Sequence, residues 1–218
     1  MPPVVSIVGR SEAGKTTLIE KLVGELVGRG YRVATIKHAH EASFDTPGKD
    51  SWRHLKAGSA AAALSTPGQL VLILPRSGEL SAADIERFFG EDYDLILTEG
   101  FKRADAPKIE VRRAGGEPLS GLARLVAVVT DGKIETKARQ FSSDDVKGLA
   151  DLLENGFIRP QAERLSLYVN DAPLTLTAFP KKIIAGILLG LVASLKGVGI
   201  VKSLDISLRR KPPPGEKL

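Results

Sequence analysis

Gly9-Arg10-Ser11-Glu12-Ala13-Gly14-Lys15-Thr16 fits the spacing G-x-x-x-x-G-K-[ST], a loop whose chemistry is the cradling of a polyphosphate. Its glycines let the main chain approach the phosphates. Successive N–H groups and the start of a following helix face their charge, and Lys15 reaches the terminal groups. Thr16 can offer its hydroxyl to Mg²⁺, and Thr17 can support an α-phosphate oxygen. Arg10 adds a second cation, whereas Glu12 is unusual in an anion-binding loop and is expected to turn away from the phosphates. Gly9, Arg10, Ser11, Ala13, Gly14, Lys15, Thr16 and Thr17 are therefore the nucleotide-binding candidates at this end of the chain.

A magnesium-nucleotide site also needs an acid. In an open parallel sheet, ligands gather at the carboxyl ends of the strands. Glu99 follows the apolar run Leu95-Ile96-Leu97-Thr98 and so falls on that edge, whereas Asp94 precedes the same run. Glu99 is the preferred partner for Mg²⁺ or its coordinated water, which suits an ion that keeps several waters. Asp45, in the loop after the run Tyr31–Ile36, is the second candidate. The metal set is thus Thr16, Asp45 and Glu99, and the catalytic candidates are Lys15 and Glu99.

The stretch Lys37–His54 contains all three histidines of the chain together with Lys37, Asp45, Lys49, Asp50, Ser51 and Arg53. Three readings stay open: a metal site, a proton-transfer site, or a loop for an anionic second ligand. Without cysteine or a tight H-x-x-x-H spacing, structural zinc is weakly supported. Lys37, Lys49 and Arg53, with Ser51 beside them, favour phosphate or another anion. Asp50 and Ser51 read equally well as the cap of a helix. Further on, Val128-Val129-Thr130-Asp131-Gly132 ends an apolar run on the same edge. A carboxylate there would accept from N1–H and the exocyclic amine of guanine and reject adenine, which makes Asp131 the base-reading candidate. A simple turn aspartate is the alternative.

These residues need a scaffold, and the apolar pattern supplies one. Val4–Val8 reads as a buried strand, and Leu18, Ile19, Leu22, Val23, Leu26 and Val27 form one helix face. Tyr31–Ile36, Leu70–Leu74, Leu95–Thr98 and Leu125–Val129 read as further strands. Asp50–Leu64, Ser81–Phe89 and Asp144–Leu153 read as helices, and Lys108–Arg112 as an added edge strand. Alternation of this kind predicts an α/β fold of the P-loop NTPase type, a mainly parallel sheet covered by helices on both faces. Asn155, Gly156 and Pro160 mark a boundary, giving a nucleotide-binding domain over 1–160 and a small C-terminal α+β unit over 161–218. In that unit Leu165–Val169 and Leu174–Thr177 read as a hairpin about Asn170-Asp171. An apolar helix containing Ile183–Leu195 follows, read as a buried core or interface helix, then a strand at Ser203–Leu208 and a disordered basic tail.

With 218 residues, 43% hydrophobic and 26% charged, the composition excludes disordered, collagenous and fibrous classes. The absence of Cys excludes disulfides, thiolate metal sites and a cysteine nucleophile, and fits a cytoplasmic setting. The N-terminus reaches charge and glycine too early for a signal peptide. Ile183–Leu195 is shorter than the roughly 20 residues a membrane span needs. The net charge is +5, and Arg209–Leu218 supplies three of those charges, so the balance says little for nucleic acid. Neither nucleic acid nor membrane is an expected partner.

The loop GRSEAGKTTL, the stretch TIKHAHEASFDTPGKDSWRHLKAG and the strand end LTEGFK together resemble the MobB family of molybdopterin guanine dinucleotide biosynthesis. The resemblance covers roughly the first 130 residues. It implies a protein that binds GTP with Mg²⁺, hydrolyses it weakly and forms homodimers. It also implies assistance to a MobA-like nucleotidyltransferase in attaching GMP to the molybdenum cofactor, with molybdopterin as a candidate direct ligand. Gly14, Lys15 and Thr16 then hold phosphates and magnesium, Asp45 and Glu99 fall on the family's acidic positions, and Asp50–Arg53 resembles its anion-binding stretch. The unit after Pro160 lies outside that pattern. A small-molecule P-loop kinase, with Asp50 and Arg53 in the substrate site, and a metal-delivery GTPase are the alternatives. No residue stands out as a strong general base, so slow hydrolysis and adapter behaviour are expected.

Overall fold

The computed structural model describes residues 1–39, 46–161, 163–170 and 172–208. His40, Asp45, Asp171 and the tail from Arg209 to Leu218 lie outside the described residues. The chain forms two compact units, Met1–Arg164 and Leu165–Leu218.

In the first unit, β1 (Val4–Gly9) leads into α1 (Lys15–Gly28), then β2 (Val33–Lys37), α2 (Asp50–Lys56), β3 (Ala62–Thr66), β4 (Gln69–Ile73) and α3 (Ala82–Phe89). β5 (Leu95–Glu99), β6 (Lys108–Val111), β7 (Leu125–Val129), β8 (Arg139–Phe141) and α4 (Val146–Leu153) complete it, with a π-helical turn over Glu154–Ile158. Six strands form one all-parallel sheet in the order β2-β5-β1-β6-β7-β8. Because all run the same way, Gly9, Lys37, Glu99, Val111 and Val129 close their strands on one edge.

Alternation of side chains along the strands divides the core. On one face Val5, Ile7, Leu95, Leu97, Ile109 and Val129 pack with Leu18, Leu22 and Leu26 of α1 and Leu149 and Leu153 of α4. On the other, Ala34, Ile36 and Ile96 meet Ile85 and Phe89 of α3. The start of α3 is fixed by a capping box, Ser81 Oγ accepting from the Asp84 N–H while the Asp84 carboxylate accepts from the Ser81 N–H.

Several expectations change. Lys108–Val111 is an interior strand between β1 and β7, not an edge. Its charged side chains are buried and satisfied: Lys108 Nζ donates to the carbonyls of Ala104 and Ala106, and Glu110 accepts from Arg112 and from the Leu119 N–H. Burial pushes the Lys108 ammonium below its ordinary range. The expected helix over 50–64 stops at Lys56. Ala62–Thr66 instead pairs antiparallel with Gln69–Ile73, so the expected strand near Leu70 belongs to a separate hairpin. β8 was not anticipated from the pattern; it is short, and its edge position leaves it largely exposed.

The second unit contains a minimal antiparallel pair, β9 (Tyr168–Val169) with β10 (Ala172–Pro173), and α5 (Ala178–Ala193). Ser203–Leu208 is not a strand, and no residue of α5 is buried, so it is not a core helix. No described helix is long and apolar enough to cross a membrane.

A polar clasp ties α1 to α4. Arg29, at the end of α1, donates to Glu154 at 2.8 Å and Asp151 at 2.6 Å, and pairs with Glu25 at 2.9 Å. Glu154 also accepts from the Tyr31 hydroxyl at 3.0 Å and from Arg159 at 2.5 Å. Hydrogen bonds from Arg29, then Tyr31, hold the Glu154 carboxyl below the usual glutamate range. A carboxylate that ionises more readily folded than unfolded contributes fully above the ordinary range and loses that contribution as pH falls through its lowered folded value. Glu154→Gln is therefore expected to lower Tm at neutral pH and to narrow its gap from wild type below about pH 4. Thermal melts across an acid series check this; a gap independent of pH would contradict it.

Candidate functional site

The phosphate loop joins the central strand to α1, and its path follows from two contacts. Gly9 lies so close to β6 that a β-carbon there would sit 2.5 Å from the Val111 carbonyl oxygen, so no larger residue fits at the strand end. Gly14, the N-cap of α1, has φ 93°, a left-handed conformation that glycine adopts without strain. The N–H groups that open α1 are thereby left at the mouth of the loop. Lys15 Nζ donates to the Arg10 carbonyl at 2.7 Å, folding its ammonium over the loop.

Thr16 and Glu99 meet. The Thr16 hydroxyl donates to Glu99 Oε2 at 3.0 Å, and Lys37 Nζ stands 3.8 Å from Glu99 Oε1. The register explains the convergence: Glu99 pairs with Ile7 on β1 and with Lys37 on β2, so one strand end carries the acid between the loop and a cation. A groove of about 540 Å³ lined in part by Thr16, Lys37 and Glu99 lies beside them. A hydroxyl and a carboxylate are the hard oxygen donors Mg²⁺ takes, and among the described residues no group of three or more His, Asp or Glu side chains is placed to hold a metal ion. The donor set fits a magnesium ion completed by phosphate oxygens and water, not a cage made wholly of protein.

Glu12 takes φ 56°, uncommon for a residue with a β-carbon. Arg113 donates to its carbonyl at 2.5 Å and lies 3.9 Å from its carboxylate, while Arg10 pairs with Glu117 at 3.1 Å. Glu12 is thus engaged by the segment after β6. Arg113 and Glu117 escaped the sequence reading. An interior assignment for Lys108–Val111 would have put both beside the phosphate edge.

Ser11 and Thr17 are exposed and Ala13 half-buried within the loop and first helical turn. Lys49, Ser51 and Arg53 sit at the start and on the body of α2: Lys49 is its N-cap, Arg53 stands 3.7 Å from Asp50, and α2 packs on β3. Asp50, Ser51 and His54 line a depression with Ala61–Leu64 of the hairpin segment. Asp131 follows β7 on the phosphate edge. Its carboxylate accepts from the Ser143 N–H at 2.9 Å and hydroxyl at 3.0 Å, bonds that hold it below the usual aspartate range.

The family model for MobB, molybdopterin guanine dinucleotide synthesis protein B, matches residues 4–131, more than half of the chain. The chain belongs to the MobB family. Among MobB relatives, a molybdopterin-guanine dinucleotide biosynthesis adapter protein of Haemophilus influenzae is 36% identical over 157 residues, covering 70% of this chain and 88% of its own. The Escherichia coli adapter protein is 35% identical, covering 70% and 92%. The crystal structure of a MobB homologue from Bacillus stearothermophilus superposes with a TM-score of 0.55 at 28% identity, over 72% of this chain and 99% of that one. Each of these matches leaves close to 30% of this chain uncovered.

Gly9→Ala is expected to lower stability by about 1–3 kcal/mol, because the new methyl meets a backbone oxygen that cannot move alone. Gly24→Ala, in mid-helix with nothing within 4 Å of the added carbon, is expected to raise it by about 0.5–1 kcal/mol. Denaturant unfolding of the two variants against wild type reads both signs.

Proposed function

We propose that the protein is a Mg²⁺-GTP-binding adapter in molybdopterin guanine dinucleotide biosynthesis, acting with a MobA-like nucleotidyltransferase and turning GTP over slowly. The observation that carries the reading is the 3.0 Å contact between Thr16 and Glu99, which joins the phosphate loop to an acid on the neighbouring strand. Lys15 leaves the Arg10 carbonyl to meet the terminal phosphates, and the N–H groups of Ala13, Gly14 and Lys15 face the rest. Thr16 and Glu99 hold the hydrated magnesium, whose chemistry is neutralisation of phosphate charge. Glu99 has its two oxygens directed to Thr16 and Lys37. That arrangement suits holding a cation more than taking a proton from attacking water, which supports slow turnover and an adapter role.

Asp131 supports guanine choice if the base's donor pair uses the free lone pairs beside Ser143, since each carboxylate oxygen accepts more than one bond. Homodimer formation in the cytoplasm completes the reading. The hairpin of β3 and β4, with exposed Leu64, Leu70 and Leu72, supplies an apolar surface suited to a second copy.

Equilibrium binding of GTP and ATP with and without Mg²⁺ tests the reading. Lys15→Ala is expected to weaken GTP by about 100-fold, the loss of a charge-assisted contact worth about 3 kcal/mol. Thr16→Ala should remove most of the magnesium dependence, and Asp131→Asn should narrow the preference for GTP. Tight ATP binding with rapid phosphoryl transfer to a metabolite would overturn it.

A further inference from the structure

The strand that delivers Glu99 to the phosphate side delivers something different to the other face of the sheet. The His38 N–H donates to the Glu99 carbonyl at 3.1 Å, so β2 and β5 stay paired just past their ends. The chain then turns at Gly100, and Phe101 takes φ 52°, a conformation a β-carbon resists and one that persists where surrounding contacts demand it. The Phe101 ring stacks on the His38 imidazole, centroids 4.9 Å apart and planes tilted by 52°.

This pair forms part of the wall of a depression of about 660 Å³, a volume typical of small-ligand sites. Glu79, Ser81, Lys102 and Arg103 line it as well. Glu79 is matched by His38, Oε1 to Nε2 at 3.1 Å. Ser81 is occupied by its capping box with Asp84, so the helix start is already satisfied. Lys102 and Arg103 make no hydrogen bond or ion pair with any other described residue. The depression therefore presents a half-buried, tilted ring pair beside two cations that are uncommitted among the described residues, a complement to a planar heterocycle stacked on one ring and bearing a phosphate.

We propose that this depression is a second ligand site that takes a phosphorylated pterin, with His38 and Phe101 against the ring and Lys102 and Arg103 on the phosphate. It rests on the reading of the protein as a molybdopterin guanine dinucleotide adapter and names the half of that product that GTP does not supply. Gly100 alone separates Glu99 on the nucleotide side from Phe101 in the depression. A change at one site therefore moves main chain shared with the other.

Titration of the full-length protein with neopterin monophosphate, followed by the pterin's own fluorescence, tests the site, with unphosphorylated neopterin as the comparison ligand. The double variant Lys102→Ala, Arg103→Ala is expected to weaken the phosphorylated ligand about tenfold or more and to leave GTP binding unchanged. Lys15→Ala is expected to do the reverse. No binding of neopterin monophosphate to wild type, or binding lost in Lys15→Ala but retained in the double variant, would overturn the site. Failure of GTP to bind while the pterin binds as expected would overturn the nucleotide reading and leave this site standing.

Discussion

The structure depends on how closely β1 can approach β6 at Gly9. With no β-carbon, the end of β1 lies against the Val111 carbonyl, and the phosphate loop can leave the sheet edge directly into α1. A side chain there would force the central strands apart at the point where Lys15 and Thr16 take their positions. Everything around the loop follows from parallel register on either side of that contact: Glu99 arrives beside Ile7, Lys37 beside Glu99, and Arg113 next to Glu12. The site is less a set of residues than the common edge of four strands.

Much of this was legible in local pattern. The loop motif, the α1 face and the strands starting at Val4, Leu95 and Leu125 read correctly, because a fully buried parallel strand writes itself as a nearly unbroken apolar run. Glu99 followed from a rule about strand ends and needed no contact information. β6 was misread for a physical reason. Lys108 and Glu110 are charged in the sequence, yet buried where loop carbonyls, Arg112 and a main-chain N–H satisfy them, and such partners are invisible to a local window. The Arg10–Glu117 and Arg113–Glu12 contacts join residues about a hundred positions apart, so no spacing could announce them.

The second unit lies beyond the residues that the family model matches. The chain's relatives are spanned almost whole while close to 30% of this chain remains unmatched. Local signals failed most there. Of the strands expected at Leu165–Val169 and Leu174–Thr177 only Tyr168–Val169 forms, paired with Ala172–Pro173 outside the second span, and a helix without a charge from Ile183 onward has no buried residue. A period-based reading assumes that an apolar face has something to pack on, and in a unit of this size little is available. The phosphate-edge domain, by contrast, draws its order from two separate apolar layers, one under α1 and α4 and one under α3.

Strand order carries a last consequence, for synthesis on the ribosome. β1 emerges first, but it pairs with neither of the strands that follow it: Val4 waits for Ile96, and Gly9 for Val111. At translation rates of about 5–20 residues per second, this buried strand stays without its neighbours for at least several seconds. β2 waits as well, since its partner is β5. The nascent chain must shelter both, first with α1 and then with whatever folding helper meets it. The hairpin of β3 and β4, closed between residues a few positions apart, can form at once in the interval.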